Sequence, residues 1–150
     1  MRTATKFDTF VNEMPRLFDS LERSPLLARE KLTNIPQKGV YVFYEKSKPL
    51  YVGRSDSLKK RIQRHSRPSA PHYSASFAFR LMKEDHNYKN VYRTRKAMVE
   101  KNRQPFKNAK RRISQMGVRA IGIYDPVKQA LFEIYAALGL NTKYNDFDTH

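Results

Sequence analysis

The stretch GVYVFYEKSKPLYVGRSDSLKKRIQRH, residues 39–65, decides how this chain is read. Residues 39–45 alternate and are rich in Val, Tyr and Phe, which predicts a strand. Lys46 to Lys48 is a polar turn, and Pro49 to Val52 is a second strand; the short connection predicts an antiparallel hairpin. A turn centred near Lys46 sets Tyr41 opposite Tyr51 on one face, and a slip of one residue puts them on opposite faces. Gly53 ends the second strand, and Ser55 or Asp56 can cap a helix. Leu58, Arg61, Ile62 and His65 then fall at i, i+3, i+4 and i+7, on one side of that helix. Leu58 and Ile62 anchor it, with Arg61 and His65 at the border of the buried face, aimed near the tyrosines.

Upstream, Phe7, Phe10, Val11, Met14, Leu17, Phe18 and Leu21 recur at helical steps within residues 6–33. Pro15 predicts a kink or two short helices, and Ser24-Pro25 reads as the start of a further helix. Downstream, residues 66–74 read as loop and 75–83 as a helix carrying Phe77, Phe79, Leu81 and Met82. Residues 92–116 read as basic helix divided near Pro105. Residues 118–124 alternate as a third strand. Asp125-Pro126 has the pattern of a helix cap and first residue. Leu131, Phe132, Tyr135 and Leu138 give that helix an apolar side, and Gly139 is placed at its end.

The charge points to a class of partner. Lys and Arg number 30 against 14 Asp and Glu, a formal net charge of +16 over 150 residues. Such an excess suits a polyanion, and nucleic acid is favoured over membrane because no long basic amphipathic helix with an exposed apolar face is evident. Lys96, Lys101, Arg103, Lys107, Lys110, Arg111 and Arg112 face one acid, Glu100, and are the candidate phosphate contacts. The chain has no cysteine, which excludes disulfides and thiolate metal sites and suits a reducing, intracellular and cytoplasmic setting. No apolar run approaches the roughly 20 residues that cross a bilayer. His72, His86 and His150 lack close-spaced ligand partners, Asp146 and Asp148 beside His150 read as a solvated tail, and no phosphate-cradling glycine motif is present.

The paired half-motifs GVY at 39–41 and YVG at 51–53 resemble those of the GIY-YIG nuclease superfamily. The resemblance extends to an arginine and a histidine on the following helix (Arg61, His65), a carboxylate on the helix after the third strand (Glu133), and a late Tyr-Asn pair (Tyr144-Asn145). It covers roughly residues 35–66 and 117–146; Val replaces Ile in both half-motifs, and about 67–116 is longer than a minimal family domain needs. Taken singly, each residue has an ordinary reading: strand aromatics, a surface arginine, a solvated acid, a turn asparagine. Their ordered joint occurrence favours the family.

The resemblance implies an α/β (α+β) fold with a small mixed three-stranded sheet flanked by helices. It implies an N-terminal helical extension, 1–34, and a nuclease domain, 35–150, with a basic insertion at about 67–116. It further implies DNA cleavage with Mg²⁺ or Mn²⁺ held by Glu133. Tyr41 stands as general base or positioner of the attacking water, Arg61 as a fork for the scissile phosphate, and Tyr51 and His65 as hydrogen-bonding partners, His65 also as proton relay. Arg54 and Asn145 support. A restriction-like or mobile-element endonuclease is the preferred role; a structure-selective or single-strand nuclease, or a catalytically silent binder of the same fold, is the alternative. One motif set per chain means that cutting both strands takes a homodimer or re-binding. The Phe- and Leu-rich N-terminal helices are the expected dimer contact, with packing on the same chain's sheet as the competing role.

Overall fold

The computed structural model describes residues 5–85 and 94–147. Its order is α1 (Lys6–Arg23), a 3-10 turn (Arg29–Lys31), β1 (Gly39–Glu45), β2 (Lys48–Ser55), α2 (Leu58–Arg64), α3 (Ser76–Asp85), α4 (Arg95–Lys101), α5 (Arg103–Ser114), β3 (Gly117–Gly122) and α6 (Pro126–Leu140). This is an α+β fold, as expected. The sheet, ordered β2-β1-β3, is antiparallel throughout rather than mixed. The chain leaves β2 through the helices α2 to α5 and returns beside β1 pointing the opposite way, so no parallel pair forms.

Strand β1 is central and covered on both faces, which is why GVYVFY reads as a nearly continuous apolar run. Tyr41, Phe43 and Tyr51 join Val118 on one face, packed with Leu58 and Ile62 of α2, Phe77, Phe79, Leu81 and Met82 of α3, and Phe106 and Ile113 of α5. The long segment after His65 therefore supplies most of the buried residues on this face of the sheet. Val40, Val42, Val52 and Ile121 form the other face, beneath α1 and α6.

The hairpin turn holds a surprise for the register. Lys46 and Ser47 both have positive φ, 50° and 73°, the two-residue primed turn that matches strand twist. Glu45 pairs with Lys48 and Tyr44 with Pro49, a register that would set Tyr41 and Tyr51 on opposite faces. A bulge then inserts Leu50, and beyond it Phe43 pairs with Tyr51 and Tyr41 with Gly53. The tyrosines share a face as diagonal neighbours, not as the directly opposed pair expected. The bulge is what brings them together.

Both sheet edges are sealed. Leu27 exchanges two backbone hydrogen bonds of 2.8 Å with Val118 on the β3 edge. That extended segment explains why Ser24-Pro25 does not start a helix: Ser24 caps the end of α1, its backbone N–H donating to the Leu21 carbonyl. At the β2 edge, Asn145 accepts from the Val52 N–H and donates to the Val52 carbonyl, both at 2.8 Å, and the Tyr144 N–H donates to the Leu50 carbonyl.

Helix α1 is one helix through Pro15, which lies on the exposed face where the unmatched Val11 carbonyl can meet water. Thr5 and Asp8 close a capping box at its start. Phe10, Met14, Leu17 and Leu21 are buried against the chain's own α6 and β3, leaving Phe7 and Val11 exposed. The basic segment divides at Asn102, with Pro105 inside the first turn of α5; residues 92 and 93 lie outside the described residues. In α2 the cap is Ser57, with Ser55 Oγ accepting from the Ser57 N–H. Asp125 caps α6 as the sequence indicates, but α6 runs past Gly139 and ends at a left-handed Asn141. Among the described residues no helix is long and apolar enough to cross a membrane.

Candidate active site

The glycines of both half-motifs are places of close approach. A Cβ on Gly39 would fall 1.9 Å from the Ile121 carbonyl oxygen, and one on Gly53 would fall 2.3 Å from both Cζ and Oη of Tyr41. The phenol of Tyr41 lies directly over its cross-strand partner, and only glycine leaves room for it.

Beyond Gly53 the Tyr41 hydroxyl meets the helix. Residue 65 is the C-cap of α2, and His65 Nε2 lies 2.6 Å from Tyr41 Oη. The imidazole is fully buried in an aromatic box, its centroid 5.1 Å from Phe43, 5.4 Å from Tyr51 and 6.2 Å from Phe77. Tyr51 stacks on Phe77 at 4.8 Å. His65 Nδ1 is buried and has no hydrogen-bond partner among the described residues. His65 thus sits inside the core, deeper than the border position expected for it.

The electrostatics follow from this burial. Removal from water, then the nearby Arg61 charge, hold His65 well below the ordinary imidazole range, so it is neutral. Burial also raises the Tyr41 phenol well above its usual value, with Tyr51 and Glu133 adding to the rise. Arg61 opposes it through charge and hydrogen bonding. Burial thus favours the neutral phenol over tyrosinate.

Arg61, on the same turn of α2, donates through Nη1 to the Ser74 carbonyl at 2.7 Å. It lines an open cavity of about 260 Å³ with Ser55, Ser57, Lys60 and Arg64. Glu133 comes from the other side of the sheet, on α6 beside β2. It is partly buried; desolvation raises its carboxyl above the usual range, and the charge of exposed Arg54 pulls it back. Tyr41 and Tyr51 both pack on His65, Arg61 stands one helical turn before it, and Glu133 lies within electrostatic reach of the Tyr41 hydroxyl, as Arg54 does of Glu133. Asn145 does not join them. Both ends of its amide hold the Val52 backbone, between Tyr51 and Gly53, so it positions the strand that carries the motif.

Among the described residues no three His, Asp or Glu converge to cage a metal. The donor set fits one hard cation in a limited way. Mg²⁺ is commonly taken by one or two carboxylates, with waters and substrate phosphate completing its shell, and Glu133 offers one such carboxylate. His65 is not a ligand candidate, because Nε2 is engaged with Tyr41 and Nδ1 is buried in the aromatic box, whereas Glu133 is carried by α6 on the other face of the sheet. His86, Asp148 and His150 lie outside the described residues.

The basic segment separates into two groups. Lys96, Lys101, Arg103, Lys107 and Arg111 are exposed. Lys110, counted above as a phosphate contact, is instead 4% exposed, and its ammonium donates to the carbonyls of Pro68 and Ala70 at 2.6 and 3.0 Å. Arg112 is likewise corrected: its guanidinium forks onto Glu45 at 2.7 and 2.8 Å and reaches Asp85. Two positions apart, they flank the buried face of α5 from opposite sides, Lys110 toward the loop after α2 and Arg112 toward Glu45. The sequence reading also passed over Lys60, Arg64 and Arg67, which share Arg61's surface; their signal was the run KKRIQRHSR itself.

A family model described as the GIY-YIG catalytic domain matches residues 37–135, spanning β1 through most of α6. No curated protein and no solved structure matches the chain.

Proposed function

The chain belongs to the GIY-YIG superfamily, a nuclease of that kind acting on nucleic acid, and from that premise we propose that it is a divalent-metal-dependent DNA endonuclease with one hydrolytic site per chain. The observation that carries the reading is the 2.6 Å contact between Tyr41 Oη and neutral His65, with Arg61 and Glu133 in electrostatic reach. Hydrolysis of a phosphodiester needs a water stripped of a proton, a charge-stabilised phosphate and an assisted leaving oxygen.

The raised Tyr41 pKa makes a standing tyrosinate base unsuitable, and the histidine answers this. As the water oxygen bonds to phosphorus and the bond from phosphorus to the leaving oxygen breaks, the water proton passes to Tyr41 Oη while the Tyr41 proton passes to His65 Nε2. The net base is His65, whose imidazolium is disfavoured by the same burial and so is short-lived, the proton passing back through Tyr41 to the departing oxygen. This route needs the tautomer with hydrogen on Nδ1, so that Nε2 accepts. Arg61 turns its remaining N–H groups to the phosphate from the cavity it lines. Glu133 would hold the cation, which when bound supplies charge neutralisation on the phosphate and leaving oxygen. Tyr51, packed on Phe77, fixes the imidazole from its other side, and the Arg54 charge favours the ionised form of Glu133 against its desolvation. Exposed Lys and Arg of α4 and α5 add backbone attraction without reading sequence.

The reading is tested by incubating the purified chain with single- and double-stranded DNA and with RNA, in Mg²⁺, Mn²⁺ or EDTA, and mapping product ends. Metal-dependent internal cuts in DNA are expected. Cleavage that persists in EDTA, or cleavage of RNA alone, contradicts it.

A further inference from the structure

The loop after α2 is held rigidly at both ends yet presents an aromatic ring to solvent. Buried Lys110 ties down Pro68 and Ala70, and Arg61 ties down Ser74. Between these anchors Tyr73 is 77% exposed, with His72 edge-on at 5.5 Å. A lone exposed aromatic is ordinary on a protein surface; what distinguishes Tyr73 is where its loop is fixed.

Its neighbours give it a setting. Tyr73, Arg67 and Arg64 line a cavity of about 280 Å³, and Arg64 also lines the adjoining 260 Å³ cavity that holds Lys60 and Arg61. Sharing Arg64, the two adjoin as a basic groove in which, among the described residues, the one lining acid is Asp56. The groove therefore runs from the candidate phosphate fork to the exposed ring. Cations that track a backbone beside an aromatic platform are the parts of a single-strand binding surface, because every unpaired base offers a π-face. In an intact duplex those faces are stacked away.

We propose that Tyr73 is a stacking platform for an unpaired nucleotide next to the phosphate held by Arg61, so that the substrate carries a single-stranded or unpaired segment at the cut. Lys60, Arg64 and Arg67 hold the phosphates of that segment. This rests on the nuclease reading and deepens it, favouring a structure-selective or single-strand substrate over a continuous restriction-type duplex. Because Ser74 is both the anchor of Arg61 and the neighbour of Tyr73, a stacked base also steadies the fork.

The test is binding in EDTA, where no metal-dependent cut occurs. A short fluorescein-labelled oligodeoxynucleotide is titrated as single strand and as duplex. A second oligonucleotide, carrying 2-aminopurine, reports stacking by quenching. Wild type should prefer the single strand and quench the probe. Tyr73→Ala should lower single-strand affinity about 5- to 100-fold, the scale of one lost base–aromatic stack, and abolish the quench. Tyr73→Phe should keep both. Replacing Arg64 and Arg67 with Ala should lower the single-strand salt slope by about 1.4, near 0.7 per phosphate. Equal loss for single strand and duplex on Tyr73→Ala, or unchanged quenching, overturns the platform. Metal-dependent cleavage in that event leaves the nuclease reading standing.

Discussion

Replacing Tyr41 by Phe removes one oxygen, and the structure fixes what that oxygen does. Among the described residues it is the single hydrogen-bond partner of a buried imidazole whose Nδ1 has none. The variant leaves both ring nitrogens unpaired among Phe43, Tyr51 and Phe77. An unmet buried polar group costs about 1–3 kcal/mol, and each kcal/mol moves the melting temperature by about 2–4 °C in a chain of this size. The expected fall is thus roughly 2–12 °C, with the fold kept. Cleavage should drop at least about a hundredfold, the usual worth of an acid–base group, or about 2.7 kcal/mol of barrier. His65→Gln separates the two effects. Its amide oxygen can still accept from Tyr41 but cannot take a proton, so it should match Tyr41→Phe in rate while losing less stability. The double variant should cleave no more slowly than the worse single one, because the two residues move one proton between them. Single-turnover cleavage and thermal melts on the four proteins decide this. Near-normal cleavage by His65→Gln, or losses that multiply, would refute the relay.

Other outcomes follow from the same geometry. Asn145→Ala should lower stability by about 1–3 kcal/mol, since two 2.8 Å bonds to the β2 backbone are lost; hydrogen exchange should quicken first at Val52, and protection unchanged there would deny Asn145 its positioning role. Buried His65 has a folded pKa depressed below its unfolded value, so its contribution is present above about pH 6.5 and is lost as pH falls toward the folded pKa. Wild type should therefore lose stability relative to His65→Gln below that pH, by at most about 1.4 kcal/mol per pH unit; a difference flat with pH would show the imidazole is not held neutral. Arg111→Ala should reduce the duplex salt slope by about 0.9 without loss of stability. Arg112→Ala should instead cost about 0.5–1 kcal/mol through its ion pairs with Glu45 and Asp85; the reverse pattern would undo the division of the basic segment.

Much of this was legible because local chemistry and tertiary need coincide. The β1 and β2 strands, the burial of Leu58 and Ile62, and the Asp125 cap each rest on neighbours in sequence. What failed needed distant partners. The Lys46-Ser47 turn lacks the Asn-Gly signature of a primed hairpin, and nothing local announces the Leu50 bulge, so the tyrosine register was out of reach. Ser24-Pro25 has the composition of a helix start, but Leu27 pairs with Val118, 91 positions away. Lys110 and Arg112 look like their exposed neighbours Lys107 and Arg111 until the loop carbonyls and Glu45 are seen beneath them. Asn145 was found through its motif, yet its bonds to Val52 could be known only from the fold.

The central claim is that Glu133 carries the cation for a cleavage reaction at Tyr41 and Arg61. Its most direct test is cleavage rate against Mg²⁺ concentration for wild type and Glu133→Gln, with DNA affinity measured alongside. Gln keeps the shape and removes the charge, so the account predicts that cleavage disappears at every Mg²⁺ concentration while binding is retained or tightens, a negative charge near phosphate having been lost. Wild-type-like, Mg²⁺-dependent cleavage by Glu133→Gln would contradict it.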